Sequence, residues 1–441
     1  MFNQTDIIVL SIEARTIRKV RIRIIPFLFL FYIVAYLDRI NIGFAALTMN
    51  KELAITSQQF GLLAGIFFFG YFLFEIPSNL LLHKIGAPTW IARILITWGI
   101  VAMLTGFVHN VHQLYLVRFL LGLAEAGYYP GVVLYLTYWL RQGEQAQAIA
   151  TVLVGLPVAS ILGGPLSGLI LDHVHWLDVS SWRWLLILEG IPAIVCGVFA
   201  YFLLPSRPAE ARFLARDERD WLIAELACEQ KKLAERQISL AKTFTHLRVW
   251  HLVSIEFTYL VGLYSLSFWM PQVIKSLSGN YSNTVVGSLA VIPQLAGLAS
   301  MMLVSRSSDR HLERRYHAAL PALASGLGWL LLGTTTSPVV SILLLSLVAA
   351  GIYSMFGPFW SLPSEFLTGY AAACGIAMIN SIGNLGGFAG PYVIGLIKDK
   401  TGNLHWGLAF VGISMLVSAM FLLLLPKRAR ASAARVCATT P

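Results

Sequence analysis

Gly163-Gly164-Pro165-Leu-Ser-Gly168-Leu-Ile170 has an echo far along the chain, Ala389-Gly390-Pro391-Tyr-Val-Ile-Gly395-Leu-Ile397. Pro391 follows Pro165 by 226 positions. A second, unrelated pair keeps the same spacing: His83-Lys84-Ile-Gly86 and Ser308-Asp309-Arg310, with Arg310 following Lys84 by 226 positions. Two motifs at one offset indicate a duplicated unit. Neither echo looks like a nucleotide loop; glycines inside an apolar block allow tight helix packing and bending.

Each glycine-rich copy lies inside a long apolar block. Of the 441 residues, 57% are hydrophobic and 12% charged, about half the charged share of a soluble protein, roughly 25%. A water-soluble globule is excluded, and the blocks are the length that crosses a bilayer as helix, about 20 residues. They fall at 22–46, 58–82, 88–108, 112–138, 146–171, 182–204, 249–271, 283–305, 316–335, 338–362, 370–397 and 404–425. The expected fold is therefore an all-α membrane protein of twelve transmembrane helices in two pseudo-symmetric six-helix bundles. Residues 1–204 form the N-terminal bundle, 205–248 a cytoplasmic linker and 249–441 the C-terminal bundle. The linker contains Arg216-Asp-Glu-Arg-Asp-Trp221, expected to lie partly as a helix on the membrane surface.

The 32 Lys and Arg exceed the 22 Asp and Glu, but they sit in short clusters between apolar blocks. That is a signal of orientation, not of nucleic acid. The side carrying both termini and the linker holds 25 of them, the other side 5, and Arg39 and Arg118 lie within spans. Both termini are expected in the cytoplasm. Arg15 to Arg23 precede a block too long for a secretory signal, which reads as a retained span. Cys196, Cys228, Cys374 and Cys437 lack paired spacing and read as free thiols. His109, His112, His173 and His175 lack a third ligand, and no metal or cofactor is expected. Phosphate loops and hydrolase triads are also missing, which disfavours an ATP-driven pump or an enzyme.

Finer motifs run along nearly the whole chain: Tyr36-Leu-Asp38-Arg39-Ile-Asn41-Ile-Gly-Phe44, Gly70-Tyr71-Phe-Leu-Phe-Glu75-Ile-Pro77-Ser-Asn79, Arg118-Phe-Leu-Leu-Gly-Leu-Ala-Glu125-Ala-Gly127 and Asn380-Ser-Ile-Gly-Asn384-Leu-Gly-Gly387. With the duplicated basic turns, these resemble the major facilitator superfamily, and within it the anion:cation symporter family of bacterial organic-acid permeases. The first turn departs from the superfamily pattern, with His83 where an acid is usual and Pro88-Thr89 where a basic pair is common.

Charges within spans demand a reason, because each costs roughly 2.5–3.5 kcal/mol near the bilayer centre. The candidates are Asp38, Arg39, Glu75, Arg118, Glu125, Glu189 and Glu256. Arg118 and Glu125 are seven residues apart, so they share a helix face about 10 Å apart along the axis. They flank one cavity without pairing intimately, and Asp38 and Arg39 are the obvious partners. The resemblance implies that Arg39 and Arg118 engage or organise a substrate carboxylate, that Asp38 and Glu125 handle protons, and that Tyr36 and Tyr71 stand on the cavity wall. Asn384 either faces the substrate or bonds neighbouring helices. Lys84, Asp309, Arg310 and Arg314 fall in the gating turns. Glu75 reads as a gate-loop group tied to the basic turn or as a substrate contact, and Glu189 and Glu256 mainly as interhelix hydrogen-bonding groups, with a secondary proton site as the lesser alternative for either. Tyr128, Tyr264, Trp269, Phe356 and Trp360 either line the pocket or belong to core packing and interfacial belts; taken singly, core or belt is the favoured reading.

The implied activity is proton-coupled import of a small organic carboxylate by alternating access, the substrate a tartrate-like hydroxy acid or sugar acid. An aromatic acid such as 4-hydroxyphenylacetate or phthalate is the alternative; proton-driven efflux and a transporter-like sensor rank below both. The implied partners are the organic anion, protons and the lipid bilayer of a bacterial inner membrane, with a monomer as the working unit.

Overall fold

The computed structural model describes residues 4–234, 246–363 and 369–425, and every regular element among them is a helix. Hydrocarbon offers the backbone no hydrogen-bond partner, so apolar runs of this length must satisfy their own N–H and C=O groups. Ten described stretches are long and apolar enough to cross a membrane. The other two expected spans are the ninth, Arg315–Leu332, and the eleventh, which is two helices, Gly369–Gly383 and Gly386–Thr401.

Polar caps set where several spans begin. Thr56 and Gln59 form a reciprocal capping box at Ser57–Ile85, while Asn110 and Ser282 accept from the backbone N–H groups of Gln113 and Val285 at 3.0 and 3.2 Å. The fourth span is broken between Val111–Glu125 and Tyr128–Thr137 by Gly127, whose φ of +83° suits glycine. Ser78 braces the break: its Oγ donates to the Ala126 carbonyl at 2.7 Å and accepts from Trp90 Nε1 at 2.9 Å. Part of the Glu75-Ile-Pro-Ser-Asn79 motif is thus explained by fold.

The first helix runs from Gln4 to Glu52, well beyond the expected 22–46. Its polar extension is held by the linker helix Arg216–Ala234: Arg15 reaches Asp217 and Glu218 at 2.6 Å, and Lys19 Nζ donates to Glu218 at 2.9 Å. Arg141 lies over the Trp221 ring, and Trp139 stacks on Phe213. The linker helix therefore docks on the extension of the first helix, where its acids find fixed cations. Burial pushes the Glu218 carboxyl up, but the Lys19, Ala215 N–H and Arg15 donors outweigh it and hold the group below the usual carboxylate range. Its contribution to docking is present at neutral pH and is lost as pH falls through that lowered value.

The duplicated glycine motifs sit where the two bundles meet. An added Cβ on Gly164 would come 2.7 Å from the Gly287 carbonyl oxygen, and Gly168 packs on Asn283; Gly395 packs on Ser57. The fifth span thus crosses the eighth and the eleventh crosses the second without intervening side chains. All these contacts lie at the end remote from the termini. There, Asp172 accepts from Asn283 N and Thr284 N at 3.2 and 2.7 Å, and Asp399 accepts from Ser57 N and Gln58 N at 3.0 and 2.8 Å. Each acid caps the N-terminus of a helix in the opposite bundle, where free N–H groups and the helix dipole favour an anion. Asp399 follows Asp172 by 227 positions, one more than the motif offset, so the two latches are related by the duplication.

Candidate binding cavity

With the remote end closed, a cavity opens between the bundles on the side of the termini. Its lining includes Tyr32, Tyr36 and Arg39 of the first span, Tyr71 of the second and Glu125, Tyr128 and Tyr129 at the fourth-span break. The second bundle supplies Glu256 and Tyr264 from the seventh span, Phe356 and Trp360 from the tenth, and Asn380 and Asn384 from the eleventh. Among the lining residues Arg39 is the one cation.

Arg39 joins the two halves of this wall. Its Nη2 forms an ion pair with Glu125, and its Nη1 donates to Tyr264 Oη at 2.9 Å. Its Nε is buried without a partner. The guanidinium also lies 5.1 Å from the Phe67 ring centroid, and Arg118 lies 5.7 Å from the same ring. One electron-rich ring thus serves both arginines, as cation–π attraction allows. Tyr264 is wedged between Phe68 and Phe268, and its hydroxyl donates to Asn384 Oδ1 at 3.4 Å. Asn384 in turn donates to the Asn380 carbonyl at 2.8 Å.

Asp38 and Arg118 stand behind the wall. Asp38 accepts from Trp98 Nε1 and from Asn41 Nδ2, the latter at 3.0 Å. Arg118 is 1% exposed, with Nε and Nη2 unpartnered, in the electrostatic reach of Asp38, Glu125 and Arg39. The expected pairing of Glu125 with Arg39 is found; Arg118 makes no ion pair within 4 Å among the described residues. Arg118 is buried and does not line the cavity.

Tyr36 Oη is 3.4 Å from Ser267 Oγ in the other bundle, and Tyr71 lines the cavity near Arg39. Of the turn residues, Arg314 donates to Asp309 at 2.5 Å and to Ser308 at 3.0 Å, while Lys84 and Arg310 are exposed. Glu313 accepts from the Tyr316 and His317 backbone and from the His317 ring; burial pushes its carboxyl up, but these donors outweigh it and hold it below the usual range.

Two buried acids have other surroundings than expected. Glu75 is not tied to the basic turn; it accepts from Asn380 Nδ2 at 2.9 Å and from Ser381 Oγ, crossing from the second span to the eleventh. Glu189 does bond between helices, to Ser167 Oγ at 3.0 Å, but Glu256 faces the cavity instead. Tyr128, Tyr264, Phe356 and Trp360 line the cavity, while Trp269 is core. Nothing local marks an aromatic for the cavity, because wall and core have the same composition here. Cys196 and Cys228 are free; the side chains of Cys374 and Cys437 lie outside the described ones.

The Major Facilitator Superfamily model matches residues 28–391. The chain belongs to that superfamily. This major facilitator protein is 44% identical over 426 residues, 97% of the chain and 98% of its relative, to a "Putative tartrate transporter" of Agrobacterium vitis. It is 39% identical to the "Putative metabolite transport protein NicT" of Pseudomonas putida, over 93% of this chain and 94% of that one, and 37% identical to the inner membrane transport protein RhmT of Escherichia coli, over 85% and 87%. Among solved structures, a partially occluded inward-open form of the xylose transporter XylE from E. coli superposes with a TM-score of 0.75 at 15% identity, covering 92% of this chain and 98% of that one. The protein is thus a multi-pass membrane transporter of the major facilitator fold and not an enzyme.

Proposed function

We propose that this major facilitator protein imports a small hydroxylated organic carboxylate together with protons across a bacterial inner membrane, working as a monomer. One observation carries the reading: the single cation on the cavity wall, Arg39, is held by an acid, Glu125, from which an incoming carboxylate must take it. An arginine stays charged and offers two parallel donors, which suits a carboxylate. Protonating Glu125 ends its claim on Arg39, so proton and substrate favour each other's binding. Asp38 is a second protonation site within reach of Arg118, and Arg118 organises the cluster. Tyr36, Tyr71 and Asn384 complete the substrate's surroundings.

Residues 1–204 and 249–441 rock as two units around this cavity, joined by 205–248. With both termini cytoplasmic, as the loop charge indicates, the open cavity faces the cytoplasm. The Asp172 and Asp399 latches then form the closed periplasmic gate, and Glu75 with Asn380 and Ser381 a partial cytoplasmic one. Lys84, Asp309, Arg310 and Arg314 act in the turns that move with it. Relatives named as tartrate transporters support a hydroxy acid or sugar acid; the aromatic wall leaves an aromatic acid as the second reading.

In proteoliposomes, an inward proton gradient is expected to drive accumulation of a hydroxy acid, collapsed by a protonophore. Uptake indifferent to the gradient would sink proton coupling, and no uptake of any organic acid would sink the reading. Orientation has its own check: single cysteines placed in 205–248 should react with impermeant reagents only in inside-out vesicles. Labelling in intact cells would reverse the assignment.

A further inference from the structure

Among the described residues lining the cavity, Glu256 is the acid for which no donor is found at one of its oxygens. It is 2% exposed, and its Oε2 accepts no hydrogen bond. Among the described residues each of the other buried acids of the spans has at least one donor: Asp38 has Trp98 and Asn41, Glu75 has Asn380 and Ser381, Glu125 has Arg39 and Glu189 has Ser167, although Glu189 Oε2, away from the cavity, is orphaned too. A buried carboxylate with open lone pairs is costly, so a missing donor at a cavity wall points to the ligand.

Its position relative to Arg39 gives the ligand a direction. Glu256 precedes Tyr264, the partner of Arg39, by eight residues on the seventh span, about 12 Å along the axis and toward the open side. The eleventh span fixes it there: an added Cβ on Gly383 would come 2.9 Å from Glu256 Cβ, so only a glycine lets the helices meet. The neighbouring Asn384 bonds to Tyr264, which places Arg39 and Glu256 on one continuous wall. That wall offers a cation at its inner end and an unsatisfied acceptor at its outer end. Arg39 is the one cation among the described lining residues, so a second carboxylate on the ligand would meet Glu256 with no compensating charge from them.

Building on the organic-acid reading above, we propose that Glu256 is a specificity-determining residue: it accepts a hydrogen bond from a hydroxyl at the end of the substrate remote from the carboxylate held by Arg39, selecting hydroxy monocarboxylates over dicarboxylates. Selection of this kind works by repulsion of the wrong ligand as much as by attraction of the right one.

Threonate and tartrate of matching configuration are the decisive pair, because they differ only in a terminal alcohol against a terminal carboxylate. Affinities are measured on the purified full-length protein by ligand-induced thermal stabilisation and competition. Wild type is expected to bind threonate at least about tenfold more tightly than tartrate. Glu256→Gln keeps the shape but loses the charge and gains a donor, so threonate should weaken by about tenfold while tartrate strengthens. Glu256→Asp, which keeps the charge, should retain the threonate preference; together with the wild-type ratio it decides the matter if the Gln variant fails to fold. Equal or tighter tartrate binding in wild type overturns the assignment, as do unchanged affinities in a folded Gln variant. Binding of neither acid by wild type, with no other organic acid bound, instead overturns the organic-acid reading and this one with it.

Discussion

Arg39→Lys is expected to weaken substrate binding by roughly a hundredfold while leaving membrane insertion and thermal stability near wild type. The reason lies in geometry, not charge. Arg39 uses one terminal nitrogen for Glu125 and the other for Tyr264, and a carboxylate replacing Glu125 would meet a planar pair of donors. Lysine brings a compact point charge that cannot hold Tyr264 and a carboxylate along parallel directions. Loss of a charge-assisted hydrogen bond costs about 1.5–3 kcal/mol, the upper end of which is about a hundredfold in affinity. Equilibrium binding on purified protein, with expression and melting temperature as controls, makes the measurement. Wild-type affinity in the Lys variant would remove Arg39 as the anchor.

Glu125→Gln should separate binding from energy coupling. Glutamine has nearly the shape of a protonated glutamate and carries no charge, so it leaves Arg39 available to an incoming anion throughout the cycle. Binding and counterflow at equal pH are expected to persist, with affinity equal to wild type or higher, while accumulation driven by a pH gradient disappears. Uptake into liposomes with and without an imposed gradient, alongside counterflow, reads both quantities from one preparation. A Gln variant that still concentrates substrate in response to the gradient would acquit Glu125 and make Asp38, which is held by Trp98 and Asn41 behind the cavity, the next residue to test.

These two residues were visible in the sequence because charge inside an apolar block is conspicuous at single-residue resolution. The same holds for the twelve blocks, the duplication and the loop bias: each rests on composition or on spacing along one chain, and lipid leaves an apolar run of that length few alternatives to a helix. Pairing is a different kind of information. That Glu125 meets Arg39 while Arg118 is buried off the cavity lining depends on how the first, second and fourth spans are rotated about their axes, and residues seven apart on one helix fix only that they share a face.

Glu75 and Glu256 show the same limit most clearly. Each is one acid in an apolar span, with nothing local to tell them apart. Packing against the eleventh span gives Glu75 two donors from Asn380 and Ser381, and gives Glu256 only the close backbone of Gly383. Asp172 and Asp399 carry no signal for a related reason: acids at span ends are ordinary in a sequence, and become latches only when the opposite bundle turns a helix N-terminus toward them. Which segments enter the membrane, and which charges must find a reason there, are legible from composition and order along one chain. Which partner each charge receives is set by helix packing, because the partners lie tens to hundreds of residues apart in the chain and no local pattern encodes how their helices are brought together.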